Sequence, residues 1–359
     1  MYKRSMPVHS HILTKPRLME KLKVFYDKVK KNDGKIGTAL RGIEMNYNNA
    51  CNLRCKYCFT NSPKGEGVKE MLPTSKIKEI ADEADELGFV EFDLQGGELL
   101  LWPDKIYDVL KAIDPRRFYL YFTTNGFKLD RKTAQKLADH HVSRVSVSID
   151  SIDPDTHDEI RGRKDSWRRA MEALEHVRAV GMDPYLNITV GHYNAKSEDL
   201  RMLLQYSKDH KYRTLVNVAV PSGMWKDAHE EICDENDIQH IRNLRKEFKN
   251  MNRNLWNPFD KNNEKILGCT TVNRIYITPV GDVLVCPYIH IKIGSVWENS
   301  LKEITDNGFK IKHFKNHSNL CLAGEDTNFI KKFMTGKKGQ SIFNPVNAKD
   351  VFTQEDYID

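Results

Sequence analysis

The chain is poor in cysteine and lacks long apolar runs, and each shortage excludes a class of protein. Its 359 residues include seven cysteines, an odd number, whereas a disulfide framework pairs its cysteines and belongs to secreted chains. No apolar run approaches the roughly 18 residues that a membrane-spanning helix needs. Residues 1–31 open with basic residues and lack the apolar segment of a signal peptide. We therefore expect a cytoplasmic protein with reduced thiols and no membrane partner.

The charge is too small and too dispersed to indicate a nucleic-acid surface. The formal net charge is +6, and carboxylates are interleaved with the basic residues. No basic stripe with interleaved aromatic residues is present, although that pattern is typical of nucleic-acid binding. We expect a solvated surface and no nucleic-acid partner. The 40% hydrophobic content is that of an ordinary globular protein, long enough for one large domain and a smaller one.

Residues 42–220 show a repeating order of short apolar segments and longer segments of helical period. Six such strand–helix alternations are typical of parallel strands covered by helices. The notable polar clusters follow strand ends: the cysteines after the first strand, QGGE after the second, TTNG after the third and SID on the fourth. Parallel barrels carry their chemistry in the loops at these carboxyl ends. The pattern predicts an α/β fold built on a partial (β/α)6 barrel of the TIM type.

The rest of the chain divides into four further segments. We expect an N-terminal helical extension over residues 1–41 and a helical connector over 221–264. Residues 265–325 contain short β-like runs separated by a Pro-Val-Gly-Asp turn, which predicts a small domain of a β-hairpin plus helix that carries cysteines. Residues 326–359 lack a clear core pattern and are expected to be a C-terminal tail or a flap over the site.

Three cysteines lie within eight positions in CNLRCKYCF, residues 51–59. Three thiolates at this spacing can hold a metal ion, a disulfide with a spare thiol, or an iron–sulfur cluster with one unligated iron. A closed structural zinc site needs a fourth ligand nearby, which this stretch lacks. The spacing of Cys51, Cys55 and Cys58 favours a cluster with an open iron, and zinc remains the alternative.

CNLRCKYC resembles the C-x3-C-x-aromatic-C motif of radical S-adenosylmethionine (SAM) enzymes, with Tyr57 in the aromatic position. The resemblance implies a [4Fe–4S] cluster on the three cysteines, whose open iron is chelated by the amino and carboxylate groups of SAM. It implies reductive cleavage of SAM to methionine and a 5′-deoxyadenosyl radical, which abstracts a hydrogen atom from a substrate C–H bond. It also implies a flavodoxin- or ferredoxin-type protein as the reductant.

Companion motifs strengthen the resemblance. Two glycines allow close approach of the backbone to a ligand. The glutamate that follows them is expected to bind the methionine ammonium of SAM. The serine and aspartate of strand four are expected to lie beside the ribose and the amino-acid part of SAM. The arginine of IRG would pair with the SAM carboxylate through the fork geometry that suits this pairing. The predicted SAM contacts are Tyr57, Gly96, Gly97, Glu98, Asn125, Ser148, Asp150 and Arg161.

A second set of cysteines begins with the C-x11-G-x4-C spacing of residues 269–286. This spacing resembles the opening of the SPASM and twitch extensions of radical SAM enzymes, and it implies one auxiliary [4Fe–4S] cluster on Cys269, Cys286 and Cys321. Gly324 stands where a twitch commonly has its last cysteine. The fourth iron is therefore expected to be open, or to be ligated by Glu325, Asp326, Cys233 or a substrate atom; three ordinary buried thiols are the alternative.

Together the motifs predict a radical SAM oxidoreductase of the SPASM/twitch subgroup. The expected reaction is oxidation (dehydrogenation) or epimerisation of a small hydroxylated substrate such as a sugar or aminocyclitol, with the auxiliary cluster as electron acceptor. Cys233 is the candidate hydrogen donor of an epimerase. Only about 40 residues precede the first strand, which favours a small molecule over a peptide. One alternative is a maturase of a ribosomally made peptide, which would form a crosslink, a thioether or an epimer. The other is a non-catalytic metal-binding regulatory protein.

Overall fold

The computed structural model describes residues 12–257, 265–335 and 341–358. Parts of the expected N-terminal extension, connector and C-terminal tail lie outside these described residues. Within these described residues, one sheet contains eleven strands in the order β11-β10-β9-β8-β1-β2-β3-β4-β5-β6-β7. The strands are β1 (Gly42–Asn46), β2 (Glu91–Gln95), β3 (Tyr119–Thr124), β4 (Arg144–Ser148), β5 (Asp183–Val190), β6 (Arg213–Val218), β7 (Met251–Asn252), β8 (Arg274–Ile277), β9 (Asp282–Cys286), β10 (Ile289–Ser295) and β11 (Val346–Asn347).

Helices cover the outer face of the parallel strands. The longer ones are α1 (Pro16–Lys31), α2 (Thr74–Glu86), α3 (Pro103–Ile113), α4 (Arg131–Asp139), α5 (Pro154–Arg161), α6 (Ser166–Ala179), α7 (Glu198–Asp209), α8 (Glu235–Glu247) and α9 (Leu301–Phe309). Three short ones follow: α10 (Lys312–Lys315), α11 (Thr327–Phe329), which continues into a π-helical turn (Ile330–Met334), and α12 (Ala348–Val351). Single 3₁₀ turns occur at Ser62–Lys64, Leu99–Leu101, Pro115–Arg117, Gly223–Trp225, His229–Glu231 and Gln354–Asp356. None of the helices described is both long and apolar enough to cross a bilayer.

The first six strands form the parallel core of a partial barrel, as the alternation of the sequence predicts. Each of β1 to β6 pairs in parallel with the next along the chain. Because side chains alternate along a strand, Ile43, Met45, Phe92 and Leu94 enter the main apolar core. The positions between them point to the other face of the sheet, where they are buried and polar. In the described residues the edge strands β7 and β11 do not pair, so the sheet stays open.

The cysteine-bearing hairpin continues this sheet. Strand β8 pairs in parallel with β1, with Gly42 opposite Arg274, and β9 returns antiparallel to β8. The turn between β8 and β9 contains Gly281 with φ of +91°, where a Cβ atom would lie 2.2 Å from the indole nitrogen of Trp297. Because β8 pairs with β1, the hairpin lies directly beside the first barrel strand.

A buried lysine binds backbone groups at the amino ends of two barrel strands. Lys15 precedes α1 and is 2% exposed. Its ammonium donates to the carbonyl oxygens of Pro115, Phe118 and His141 at 2.8, 3.1 and 2.8 Å, and to the Ser143 hydroxyl at 2.7 Å. These acceptors lie just before β3 and β4, so one side chain fixes the N-terminal segment to the amino ends of two strands.

Candidate functional site

A cavity of about 180 Å³ lies at the carboxyl ends of the barrel strands. Nine of the predicted site residues line it: Cys51, Cys55, Tyr57, Cys58, Gly96, Gly97, Asn125, Ser148 and Arg161. They come from five separate segments of the chain. The structure therefore brings the first cysteine triad and most of the predicted SAM contacts to one place.

The cysteine loop is fixed to the end of α5 by backbone hydrogen bonds. The amides of Arg54 and Lys56 donate to the carbonyls of Arg161 and Ile160 at 3.0 and 3.1 Å. Helix α5 ends at Gly162, whose φ is +66° and whose Cβ atom, if present, would lie 2.6 Å from the Arg54 carbonyl oxygen. Glycine is required there for both reasons. The arrangement sets Nη1 of Arg161 3.8 Å from the sulfur of Cys55.

Gly96 and Gly97 support the entrance to the same loop. A Cβ atom on Gly97 would lie 2.0 Å from the Ala50 carbonyl oxygen, and one on Gly96 would lie 2.4 Å from the Asn48 carbonyl oxygen. The Gly97 amide donates to Asn48 at 3.1 Å. The sequence predicts that a ligand approaches the backbone of these glycines. In the structure, the loop that leads into Cys51 also passes directly over both of them, so the protein's own backbone makes a close approach too.

Asp150 holds two cavity residues in place. Its carboxylate forms an ion pair with Nε of Arg161 at 2.6 Å, and it accepts hydrogen bonds from the Tyr57 hydroxyl and, at 3.3 Å, from the Thr189 amide. Asp150 is 2% exposed and is not among the residues that line the cavity. Burial raises the pKa of Tyr57 well above its usual range, so the phenol stays a donor to Asp150. The geometry makes Asp150 a positioning residue for Arg161 and Tyr57.

Glu98 links the ends of β2 and β3. One carboxylate oxygen accepts from the Leu100 amide at 3.0 Å and the Thr124 hydroxyl at 2.7 Å, and the other accepts from the Asn125 amide at 2.8 Å. Burial raises the pKa of Glu98 in spite of these bonds. The Asn125 side chain in turn donates to Asn52 in the cysteine loop at 2.9 Å. Glu98 therefore lies behind the cavity wall. The oxygen that accepts only from Asn125 can accept one further hydrogen bond.

The sulfur atoms of the first triad suit a cluster better than a single ion. Burial raises the pKa of Cys51 to about 12 and also raises the pKa of Cys55, so their thiolates need a bound cation for charge compensation. Tetrahedral zinc with bonds of about 2.3 Å would place its sulfurs about 3.8 Å apart. In the part of the chain that the structure describes, no three cysteine sulfurs lie within 4.8 Å of one another. A cluster that binds each cysteine through a different iron fits this wider spacing.

The second triad lines an adjoining cavity of about 80 Å³, where Cys269, Cys286 and Cys321 all contribute to the wall. Burial raises the pKa of Cys286 well above its usual range and raises that of Cys321. The two cavities share six wall residues: Glu44, Asn217, Val218, Val220, Asn254 and Tyr288. The two triads therefore line adjoining cavities, which together we call the hollow.

The residues considered as further ligands of the second triad are engaged elsewhere. Glu325 accepts from Arg253 at 2.8 Å through one oxygen and from the Cys321 amide at 2.6 Å through the other. Asp326 accepts from the Phe329 amide at 2.9 Å and begins α11. Cys233 is buried, donates to the Val190 carbonyl at 3.5 Å and lines neither cavity. The structure does not bring Cys233 together with the other predicted site residues.

Several cavity residues were not anticipated from sequence motifs. Glu44, Asp93 and Gln95 line the first cavity, and Arg274 lines the second. The sequence does contain a signal for the strand residues, because polar and apolar residues alternate in GIEMN and EFDLQ. When both faces of a strand are covered, its polar residues point into the interior of the barrel. An aromatic wall completes the site, with the Trp225 ring 5.2 Å from that of Tyr57.

Fold and site together define a radical SAM domain. Residues 45–206 match the Radical SAM superfamily, a span that contains the cysteine loop, both glycines and Arg161. The expected resemblance and the expected partial barrel are therefore confirmed. The family uses SAM and a [4Fe–4S] cluster, and the donor set of Cys51, Cys55 and Cys58 fits that cluster.

Relatives with named activities differ among themselves. The chain is 34% identical to a GTP 3′,8-cyclase of Microcystis aeruginosa over 163 residues, which cover 43% of this chain and 49% of that protein. It is 25% identical to an AdoMet-dependent heme synthase of Methanosarcina barkeri over 295 residues, covering 75% and 83%. The match to the cyclase thus spans about half of its length. Streptococcus suis SuiB bound to the precursor peptide SuiA shares the fold with a TM-score of 0.60 at 18% identity, covering 80% of this chain and 69% of SuiB.

Proposed function

We propose that the chain is a radical SAM oxidoreductase that removes a hydrogen atom from a C–H bond of a small hydroxylated substrate. When bound, the cluster on the first triad and SAM supply a 5′-deoxyadenosyl radical, and an auxiliary cluster on the second triad supplies an electron acceptor. The observation that supports this proposal is the wall shared by the two cavities. A substrate in this hollow would lie between the two triads. A flavodoxin- or ferredoxin-type protein is the proposed reductant.

The protein's own residues orient SAM in this proposal. Asp150 occupies the Nε side of the Arg161 guanidinium, so the terminal nitrogens are left to pair with the carboxylate of SAM. Asn125 and Ser148 line the same wall and offer hydrogen-bonding groups for the rest of the molecule. The free acceptor position of Glu98 is the proposed partner of the methionine ammonium.

Aromatic side chains restrict access of water to the cavity. Trp225 packs against Tyr57 and against Tyr193, with ring centroids 5.2 and 5.7 Å apart. Trp225 lines the cavity, while Tyr193 is partly exposed outside it. Exclusion of water protects a reactive intermediate from side reactions.

Oxidation is favoured over epimerisation. An epimerase needs a hydrogen donor beside the substrate, and the cavity walls that the structure describes contain no thiols besides those of the two triads. Cys233 lines neither cavity and is hydrogen-bonded to a backbone carbonyl. We therefore propose that the substrate loses one hydrogen atom, one electron and one proton, the stoichiometry of converting an alcohol carbon to a ketone.

A peptide maturase is the second candidate. Its support is the fold shared with SuiB, a protein solved with a bound precursor peptide. The two candidates differ in the substrate that occupies the cavity, a small polar molecule for the first and a peptide for the second.

Formation of 5′-deoxyadenosine tests the proposed chemistry. Anaerobically reconstituted protein, given SAM and dithionite, is expected to release it, and the Cys51→Ala variant is expected to release none. Cys233→Ala serves as the matched control, since this thiol is buried and lines neither cavity, and it should match the unsubstituted protein. Absence of 5′-deoxyadenosine from the unsubstituted protein, or equal release by Cys51→Ala, would contradict the proposal.

A further inference from the structure

Residues 341–347, which we call the strap, contact the part of the chain that leaves the first cysteine triad. One end of the strap is β11, which pairs with β10 so that Val346 lies opposite Ile291. The other end contacts residues 59–67, which follow Cys58 and which we call the exit segment. All strap residues are described, and none of them lines either cavity. The strap can therefore act on the site only through the residues that it contacts.

The exit segment forms part of the wall of the first cavity. Phe59 and Ser62 both line this cavity. The Ser62 hydroxyl donates to the Asn49 carbonyl at 2.7 Å, and the Asn49 carboxamide donates to the carbonyls of Thr60 and Glu66 at 3.0 and 2.8 Å. Asn49 is fully buried. The exit segment is thus folded around one buried carboxamide.

A hydrogen bond joins the strap to the exit segment. The Ser341 hydroxyl donates to Oε2 of Glu66 at 2.5 Å, and Oε1 of Glu66 accepts from the Asn61 carboxamide at 3.3 Å. The Asn61 amide in turn donates to the Cys58 carbonyl at 3.4 Å. Ser341 and Asn61 are both buried. Two residues of the exit segment therefore connect Ser341 to a cysteine of the first triad.

An apolar contact joins the strap to both cysteine-bearing segments. Ile342 is 0% exposed and forms a buried cluster with Tyr276 of β8 and Leu284 of β9, against which Phe59 and Phe343 pack. The Phe59 ring lies 6.2 Å from that of Tyr276. Ile342 therefore shares one apolar cluster with a residue of the exit segment and with the hairpin of the second triad.

The ring of Phe343 makes the third contact. A Cβ atom on Gly67 would lie 1.9 Å from this ring, and the φ of Gly67 is +59°. Only glycine suits this position, because it tolerates the positive φ and leaves room for the ring. The strap thus contacts the end of the exit segment as closely as it contacts the beginning.

The loop after β6 supports Cys58 independently of the strap. The Met224 amide donates to the Cys58 carbonyl at 2.9 Å, and a Cβ atom on Gly223 would lie 2.3 Å from the same oxygen. Cys58 therefore keeps one backbone support when the strap is altered. We expect changes in the strap to shift the exit segment without removing the cluster.

We propose that Ser341 and Ile342 are positioning residues for the first triad. Through the exit segment they hold Cys58 and the cavity wall in the arrangement that binds SAM, because the residues that contact a ligand need a supporting shell to fix them. The strap itself supplies no ligand to the cluster. The inference rests on the proposed function only in its use of a cluster and SAM at the first triad. It gives the segment expected as a tail or flap a role in SAM binding.

Hydrogen exchange of the protein without clusters tests the contact directly. The amides of Asn61, Lys64 and Gly65 are hydrogen-bonded to backbone carbonyls, so their exchange reports opening of the exit segment. In Ile342→Ala they should exchange about ten-fold or more faster, because the buried cluster loses most of a side chain. Ser341→Ala removes one hydrogen bond and should accelerate them about five-fold. Unchanged exchange in both variants would overturn the inference.

A second buried isoleucine provides the control for a general loss of stability. Ile311 is 1% exposed and packs in a different apolar cluster. Ile311→Ala should therefore leave exchange of the exit segment unchanged, while thermal unfolding compares the overall stability of the variants. An equal acceleration in Ile311→Ala would show that the effect is global and would overturn the inference.

Electron paramagnetic resonance of the reduced, reconstituted protein measures the effect on SAM binding. Ile342→Ala should need about ten-fold or more SAM for the half-maximal spectral change, with unchanged iron content, whereas Ile342→Val and Ile311→Ala should match the unsubstituted protein. Equal SAM dependence in all variants would overturn the inference and leave the proposed function standing. If the spectrum of the unsubstituted protein does not respond to SAM, the proposed function fails, and hydrogen exchange still decides whether the strap holds the exit segment.

Discussion

Replacing Asp150 with asparagine should destabilise the protein by about 3–5 kcal/mol, because it leaves a buried guanidinium without its counter-charge. The ion pair between Asp150 and Arg161 spans 2.6 Å, and the two side chains are 0% and 9% exposed. Little water can therefore reach Arg161 to replace the lost carboxylate. The loss is a large part of the 5–15 kcal/mol that typically separates folded from unfolded protein.

A second ion pair of equal length provides the control. Lys56 and Glu159 also connect the cysteine loop to α5 at 2.6 Å, but their side chains are 54% and 73% exposed, and water screens such a pair. Urea unfolding of the protein without clusters, followed by circular dichroism, compares Asp150→Asn with Glu159→Gln. The first should unfold at much lower urea and the second should match the unsubstituted protein. Equal midpoints for both variants would refute the argument from burial.

Three further predictions concern pH, the barrel end and the cysteine loop. Burial lowers the pKa of His157 to about 4, so the unfolded chain binds a proton near its ordinary pKa of about 6.5 while the folded chain stays neutral. The contribution of His157 to the free energy of unfolding should therefore fall by about 2 kcal/mol between about pH 7 and pH 5. The difference between the unsubstituted protein and His157→Gln in urea titrations at each pH measures this contribution. Lys15→Met should cost about 3 kcal/mol by leaving buried carbonyls without a donor, measured by thermal unfolding against the exposed Lys23→Met. Gly97→Ala should abolish iron incorporation, because its Cβ atom would collide with the loop backbone. Gly88→Ala places its Cβ where no atom lies within 4 Å, although its φ of +84° strains the backbone after α2. It should keep its iron, because this strain is outside the cysteine loop; full iron content in Gly97→Ala would contradict the collision.

The sequence predicts local features well because neighbouring residues determine them. Six strands followed by helices, and a cysteine loop after the first strand, follow from periodicity and motif spacing. The glycines at 96 and 97 are visible in the sequence, but their role in supporting the cysteine loop depends on which backbone passes over them.

Features built from distant segments could not be predicted. Arg274 reaches Glu44 only because β8 pairs in parallel with β1, a pairing that joins residues far apart in the chain and has no sequence signature. Lys15 precedes a helix and is indistinguishable in sequence from a surface lysine. Glu325, expected as a possible ligand, is engaged by Arg253, a partner from a different part of the chain.

The most direct test of the account is the iron and sulfide content of reconstituted protein. With about four irons per cubane, the unsubstituted chain should hold about eight. Replacing either Cys51, Cys55 and Cys58 or Cys269, Cys286 and Cys321 with alanine should leave about four. A content of about four that falls to none when the first triad alone is replaced would show that the second triad holds no cluster, and would contradict the claim that both triads serve one hollow.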